Sequence, residues 1–371
     1  MKPSDVFASI TTPTLVLDEQ ITRRNIRRMA AKARQAGVRF RPHFKTHQSA
    51  QIGEWFREEG VHAITVSSVE MARYFAIHGW TDITLAFTVN LRQLSELNEL
   101  AGRIRLGILV ESIESVNALA AGMSNPADLW IKVDVGNHRT GLAWDAPDAI
   151  LAVARAIQPV PHLRLRGLLT HSGHTYGISE PQEINRIFRQ GVDRLQTVRE
   201  QLASSGMDGL AISTGDTPGC TLGEDFSGVD EIRPGNFVFF DAMEAARGVC
   251  SWADVAVVAA CPVVALHPER WIAVLYGGAV HLSKDFFEWN GERCYGMIGL
   301  PTSEGWSAPL EGASLVGMSQ EHGMVRLQPA DLARLHVGDL VCVYPAHSCL
   351  TVSALGSYLS LDGRKITTFN K

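Results

Sequence analysis

RLGILVESIESVNALAAGMSNPADLWIKVDV, residues 105–135, decides how the chain is read. An apolar, β-branched run (RLGILVES, 105–112) gives way to a segment with apolar residues at helical spacing (IESVNALAAG), and a second run of the first kind (DLWIKVDV, 128–135) closes the unit. Near-continuous hydrophobicity marks strands buried on both faces, and a helix between two such strands is the crossover that parallel pairing requires. The pattern repeats outward in both directions. Upstream lie VRFRPHF (38–44), HAITVSS (62–68) and DITLAF (82–87); downstream lie RLRGLLTH (164–171), GLAISTG (209–215) and EIRPGNFVF (231–239). Together these make eight strands, separated by helical stretches such as ITRRNIRRMAAKARQAG, which stops at Gly37. Eight such alternations predict a (β/α)8 TIM-type barrel over residues 18–240. A doubly wound sheet is the alternative that the pattern leaves open.

Beyond residue 240 short apolar runs are broken by Gly and Pro, as in ADVAVVAACPVVALHPERWIAVLYGGA and DLVCVYPAHSC. This predicts a mainly-β domain over 241–371, which the N-terminal strand at 11–17, within TPTLVLD, could join. A chain of 371 residues exceeds the roughly 250–300 at which single cores stop growing, so two units are expected.

Hydrophobic content of 46% with a net charge of −5 gives no electrostatic reason to bind nucleic acid or an anionic membrane, and points to small-molecule chemistry. Six scattered cysteines without a CxxC fit thiols in a reducing compartment. No window approaches the ~18 apolar residues of a membrane helix, and the expectation is a cytoplasmic protein.

Active-site groups of such barrels gather at the C-terminal ends of the strands. Lys45 follows the first predicted strand in RPHFKTHQ (41–48), between His43 and His47 and close to Arg41. The stretch reads as half a metal site, a solvated basic patch, or a lysine that does covalent chemistry. Arg139 follows the fifth strand, His171 closes the sixth, STGDTPG (213–219) follows the seventh, and Arg233 and Gly235 lie in the eighth. The loop STGDTPG reads first as plain turn chemistry, and its position raises the reading as a phosphate cradle. A lysine beside a phosphate loop suggests pyridoxal phosphate, whose aldehyde condenses with an activated amine. In PAHSC, His347 and Cys349 stand two apart. On a strand they would share a face and could chelate zinc; the bland reading is a buried thiol with a polar neighbour.

TPTLVLDEQITRRNIRRM followed by RPHFKTH, then VDVGNHRTG, HSGHTY, SQEHG and PAHSC, in this order over nearly the whole chain, resemble the fold-type III pyridoxal-phosphate enzymes. The resemblance is to the alanine racemase barrel, and within it to the D-serine dehydratase and D-threonine aldolase group. It implies that Lys45 holds the cofactor as a Schiff base, that Arg139 contacts its phenolic oxygen and that His171 packs against its ring, with Tyr176 bordering it. Thr214, Gly215, Asp216 and Thr217 would hold the phosphate, and Arg233, in an RPG segment with Gly235, would meet the pyridine nitrogen. The His-x-Cys form of the motif implies zinc on His347 and Cys349 and favours the dehydratase branch.

The expected reaction is therefore α,β-elimination from a β-hydroxy-D-amino acid such as D-serine or a 3-hydroxyaspartate. Retro-aldol cleavage to glycine and an aldehyde is the rival, with a racemase or a non-catalytic cofactor carrier further off. The resemblance also implies a homodimer. One segment departs from the group: LYGGAVHLSKD (275–285) has no acid where the group commonly carries Asp-Ala-Gly.

Overall fold

Eight parallel strands, one for each apolar run, follow one another round a single sheet: Arg39–Phe40, Ile64–Val66, Asp82–Thr88, Arg105–Val110, Ala127–Asp134, Leu163–Leu169, Ala211–Thr214 and Glu231–Ile232. The computed structural model describes residues 1–369. The eighth strand returns to pair with the first. The first is joined to the second by a parallel bridge between His43 and Thr65, backed by Phe44 N–H to Thr65 O at 2.8 Å and Thr65 N–H to Pro42 O at 2.9 Å. The architecture is the α/β barrel expected from the sequence.

The first and eighth strands are shorter than predicted, with two paired residues each. Proline stands at 42 and 234, and a proline has no N–H to extend a ladder. The N–H groups of Arg41 and His43 still reach Ile232 O and Pro234 O, at 3.0 and 2.9 Å. In the middle of the sheet Leu106 to Val110 are buried without a break, as a strand covered on both sides must be. Ser68 and Ser112 start the helices that follow the second and fourth strands, each hydroxyl accepting a backbone N–H three residues on at 3.1 Å.

A buried polar chain crosses this unit. Asp82 Oδ1 accepts from Arg41 Nη1 at 2.6 Å, and Arg41 Nε donates to Glu231 Oε2 at 2.6 Å. Ser213 Oγ donates to Glu231 Oε1 at 2.8 Å and accepts from Arg233 Nε at 2.7 Å. Arg233 Nη2 donates to Thr170 O, and Thr170 Oγ1 donates to Val133 O at 2.8 Å.

The other unit comprises Met1–Arg27, Thr46–Trp55 and the residues from Asn236 onward, so that a boundary falls directly after Lys45. Six antiparallel strands close a ring: Val257–His267, Ile272–Tyr276, His322–Arg326, Ser314–Met318, Gly296–Gly299 and Leu340–Pro345, the last pairing back with the first. Cys261, Leu275, Ile298, Leu315, Val325 and Val343 fill it. The N-terminal strand Thr14–Leu17 joins this sheet, antiparallel to Val257–His267 and parallel to Ser357–Ser360. Residues 370 and 371, at the end of the predicted β domain and including the final Asn of KITTFN, lie outside the described residues. All six cysteines are free thiols. Among the described residues no helix is long and apolar enough to cross a membrane.

The Arg41 and Glu231 side chains are 3% and 4% exposed, so removing one partner strands a buried charge. Arg41→Ala is expected to lower unfolding stability by about 3–5 kcal/mol, read from the denaturant midpoint.

Candidate active site and metal motif

Lys45 projects from a turn whose other side chains are held tightly. Phe44 is fully buried, with ring centroids 4.9 Å from Phe56, 4.9 Å from Phe75 and 5.0 Å from Trp80. That aromatic anchor fixes the Lys45 backbone while its side chain stays exposed. The flanking histidines have local duties. His43 Nδ1 accepts the Lys45 N–H at 3.3 Å, and His47 Nδ1 accepts the Ser49 N–H at 3.1 Å. Burial pushes the His47 imidazole down to about 3, so it is neutral. The half-metal-site reading of RPHFKTHQ is thereby replaced.

Inside the barrel unit, cations gather round His171. Burial, then Lys45, Arg139 and Lys132, hold this imidazole neutral and well below its ordinary range, although its Nδ1 bonds Gly215 O at 2.7 Å. Lys132 is 6% exposed, and burial followed by Arg233 and Arg139 pushes its amine down to about 7, with Asp134 and Glu111 opposing. Arg139 is itself exposed on a loop pinned by carboxylates. Asp134 Oδ1 accepts the N–H groups of Gly136, Asn137 and His138 at 2.9, 2.8 and 3.1 Å, and Glu111 Oε2 accepts that of Gly141 at 2.6 Å. Arg233 is buried and its guanidinium bonds Ser213 and Thr170; burial pushes it down to about 10.

The loop after the seventh strand carries the phosphate candidates. Thr214 and Thr217 are buried, and Gly215 packs so closely that an added Cβ would lie 2.6 Å from Arg233 N. Tyr176 Oη accepts the Thr217 N–H at 3.1 Å, and its ring centroid lies 6.1 Å from that of His171. Asp216 turns away to cap the following helix, accepting from Gly219 N at 2.6 Å and Thr175 Oγ1 at 2.9 Å; burial pushes it up to about 6. An exposed lysine, a hydroxyl-bearing loop in close backbone approach and a group of cations suit a phosphorylated aldehyde, so the residues present fit pyridoxal phosphate.

The metal motif differs from its predicted geometry. The strand Leu340–Pro345 ends before it; His347 caps the helix Ser348–Leu355 and Cys349 sits in that helix's first turn. Strand alternation therefore does not bring the pair together. They converge across a strand-to-helix junction, within hydrogen-bonding reach of each other. Burial opposes a charged His347, but Cys349, Asp241 and Asp285 push its imidazole up to about 10. Asp285 Oδ2 lies 2.6 Å from His347 Nδ1, and Thr46 Oγ1, one residue after Lys45, lies 3.2 Å from Cys349 Sγ. Asp241 accepts Ser348 N–H at 3.1 Å and Asn236 Nδ2 at 2.6 Å. Among the described residues no group of three or more His, Cys, Asp or Glu side chains is arranged to hold a metal ion. An imidazole and a thiol, each with its own polar partner, nonetheless fit a zinc ion that keeps open positions for water and substrate.

Comparison with known proteins decides the family. Residues 17–243 match the family described as alanine racemase, N-terminal domain, and residues 256–361 match the serine dehydratase domain. The chain belongs to the fold-type III pyridoxal-phosphate enzymes. It is 30% identical to D-threo-3-hydroxyaspartate dehydratase of Delftia sp. (strain HT23), over 97% of both chains. It is 25% identical to D-serine dehydratase of Dictyostelium discoideum, over 99% of this chain and 98% of the other, and 26% identical to D-threonine aldolase of Arthrobacter sp., over 93% and 88%. The solved structure of the Delftia enzyme superimposes with a TM-score of 0.89 at 28% identity over 98% of each chain. That enzyme has also been solved with a histidine replaced by alanine and, in a metal-free form, with a cysteine two positions later replaced by alanine. Its likeness to these enzymes over nearly the whole chain makes it a pyridoxal-phosphate-dependent lyase acting on D-amino acids.

Sequence reading missed Lys132, Asp134, Glu111, Asp285 and Asn236. VDVGNHRTG already contains Asp134, and a carboxylate two residues before a glycine turn is a signal for a backbone cap. Nothing local marks the others.

The Lys132 amine, lowered in the folded protein, carries its burial penalty in full below about pH 7 and sheds it as pH rises toward its unfolded value. Between about pH 7 and 10 the wild type should gain stability relative to Lys132→Met, by at most on the order of 4 kcal/mol, measured as paired denaturation curves.

Proposed function

We propose that this protein is a metal-assisted D-amino-acid dehydratase, removing the β-hydroxyl of D-threo-3-hydroxyaspartate or D-serine to give a 2-oxo acid and ammonia. The observation that carries the reading is the His347–Cys349 pair itself, a nitrogen and a sulfur donor each held by its own polar partner. Soft donors of this kind select zinc over the harder ions that carboxylates prefer. The 30% identity to a D-threo-3-hydroxyaspartate dehydratase over nearly the full length of both chains supports it.

Each residue has a task in this proposal. Lys45 would hold the cofactor at rest, and its amine, freed when the substrate's amine takes its place, would take the proton from the substrate Cα. Arg139, on its carboxylate-pinned loop, faces the developing negative charge. Thr214, Gly215 and Thr217 seat the phosphate, with Tyr176 at their edge and Asp216, against expectation, capping the helix behind them, while neutral His171 and buried Arg233, followed by Gly235, fix the ring. His347 and Cys349 hold zinc. When bound, the cofactor supplies an electron sink for the charge released at Cα, and zinc supplies Lewis acidity toward the β-oxygen. Loss of the Cα proton and of the β-hydroxyl as hydroxide leaves an enamine, which water converts to the 2-oxo acid and ammonia.

Retro-aldol cleavage is the rival because an aldolase stands among the relatives. The purified protein, with and without zinc, is to be given D-threo-3-hydroxyaspartate, D-serine and D-threonine. Zinc-dependent 2-oxo acid and ammonia from the first two are expected; glycine as the main product would sink the dehydratase reading. Lys45→Ala is expected to lose the Schiff-base absorbance and turnover together. Retention of that band would remove Lys45 from its role.

A further inference from the structure

Asp285 closes the segment LYGGAVHLSKD (275–285). We propose that Asp285 is a positioning residue for His347: its carboxylate accepts the hydrogen bond from Nδ1–H, fixes the tautomer, and leaves Nε2 as the nitrogen that meets the metal. This rests on the reading of His347 and Cys349 as a metal pair. To bind a metal the imidazole must give up one proton, and a carboxylate 2.6 Å from Nδ1 keeps the proton there and makes Nε2 the nitrogen that loses it.

The backbone is built to hold that contact. Ser283, at the end of the helix Ala279–Leu282, has φ 75° and ψ 170°, a region almost reserved for glycine. A non-glycine residue stays there only where its surroundings over-determine it. Ser283 Oγ accepts the Asp285 N–H at 3.2 Å, and Thr351 Oγ1 donates to Leu282 O at 3.1 Å. Thr351 belongs to the helix Ser348–Leu355 that His347 caps, so both ends of the Asp285–His347 contact are tied to one element. The other nearby carboxylate is already committed, since Asp241 accepts from Ser348 N, Asn236 Nδ2 and Glu244 N. Lys284, next to Asp285, is exposed.

The test is zinc affinity of the full-length, cofactor-loaded protein by competition with a chromophoric chelator, for wild type, Asp285→Ala, His347→Ala and Cys349→Ser. Asp285→Ala is expected to weaken zinc binding by about 10–100-fold, the range for loss of a carboxylate behind a metal-binding histidine. At saturating cobalt(II) it should keep the thiolate-to-cobalt band, which Cys349→Ser loses, and its cofactor absorbance should match wild type. Unchanged zinc affinity would overturn the proposal. So would loss as complete as in His347→Ala, because Asp285 would then be a ligand. If wild type and Cys349→Ser bind zinc equally, the metal-pair reading itself fails, a result separate from either.

Discussion

The carboxylate of Glu231 is the constraint on which the barrel's polar interior depends. It is buried and accepts from Arg41 on one oxygen and from Ser213 on the other. Through Arg41 it reaches Asp82 at the start of the third strand, and through Ser213 and Arg233 it reaches Thr170 after the sixth. A charge removed from water is tolerable only when paired and fully hydrogen-bonded, so each member of the chain requires the next. Asp82 shows the balance: burial alone would raise its carboxyl, yet Arg41 and Arg39 hold it below the usual range. Arg233, a candidate cofactor contact, is thus held by the same interactions that tie the strands together.

Lys45 and the His347–Cys349 pair share a local device, a side chain set among neighbours whose own positions are fixed by packing or hydrogen bonds. Phe44 lies in an aromatic cluster, and His47 is buried with its carbonyl accepting the Tyr358 hydroxyl at 2.6 Å. The lysine between them is then the side chain left exposed. At His347 and Cys349 the same logic is carried by polar groups, with Asp285 behind the imidazole and Thr46 beside the sulfur. Orientation by a neighbour's hydrogen bond lowers the entropy a ligand must remove on binding.

Most of the barrel was legible because parallel strands covered on both faces are continuously apolar, and eight such runs left few other topologies. The first and eighth strands were over-read, since prolines at 42 and 234 sit inside otherwise good strand sequence and end the continuous ladder. The strand geometry considered for PAHSC is absent, since His347 already stands at a helix N-cap. Either reading puts His347 near Cys349, but only the observed one places His347 on the helix that docks against the segment leading to Asp285.

Residue order alone determined the barrel, the mainly-β domain, the lysine and the order of family motifs, because those are written in local periodicity and spacing. Tertiary structure decided which charges share a neighbourhood. The buried amine of Lys132 among Arg139, Arg233 and His171, and the reach of Asp285 across 62 residues to His347, follow from strand order and helix docking. Electrostatic coupling depends on distance through space, which a linear sequence does not contain.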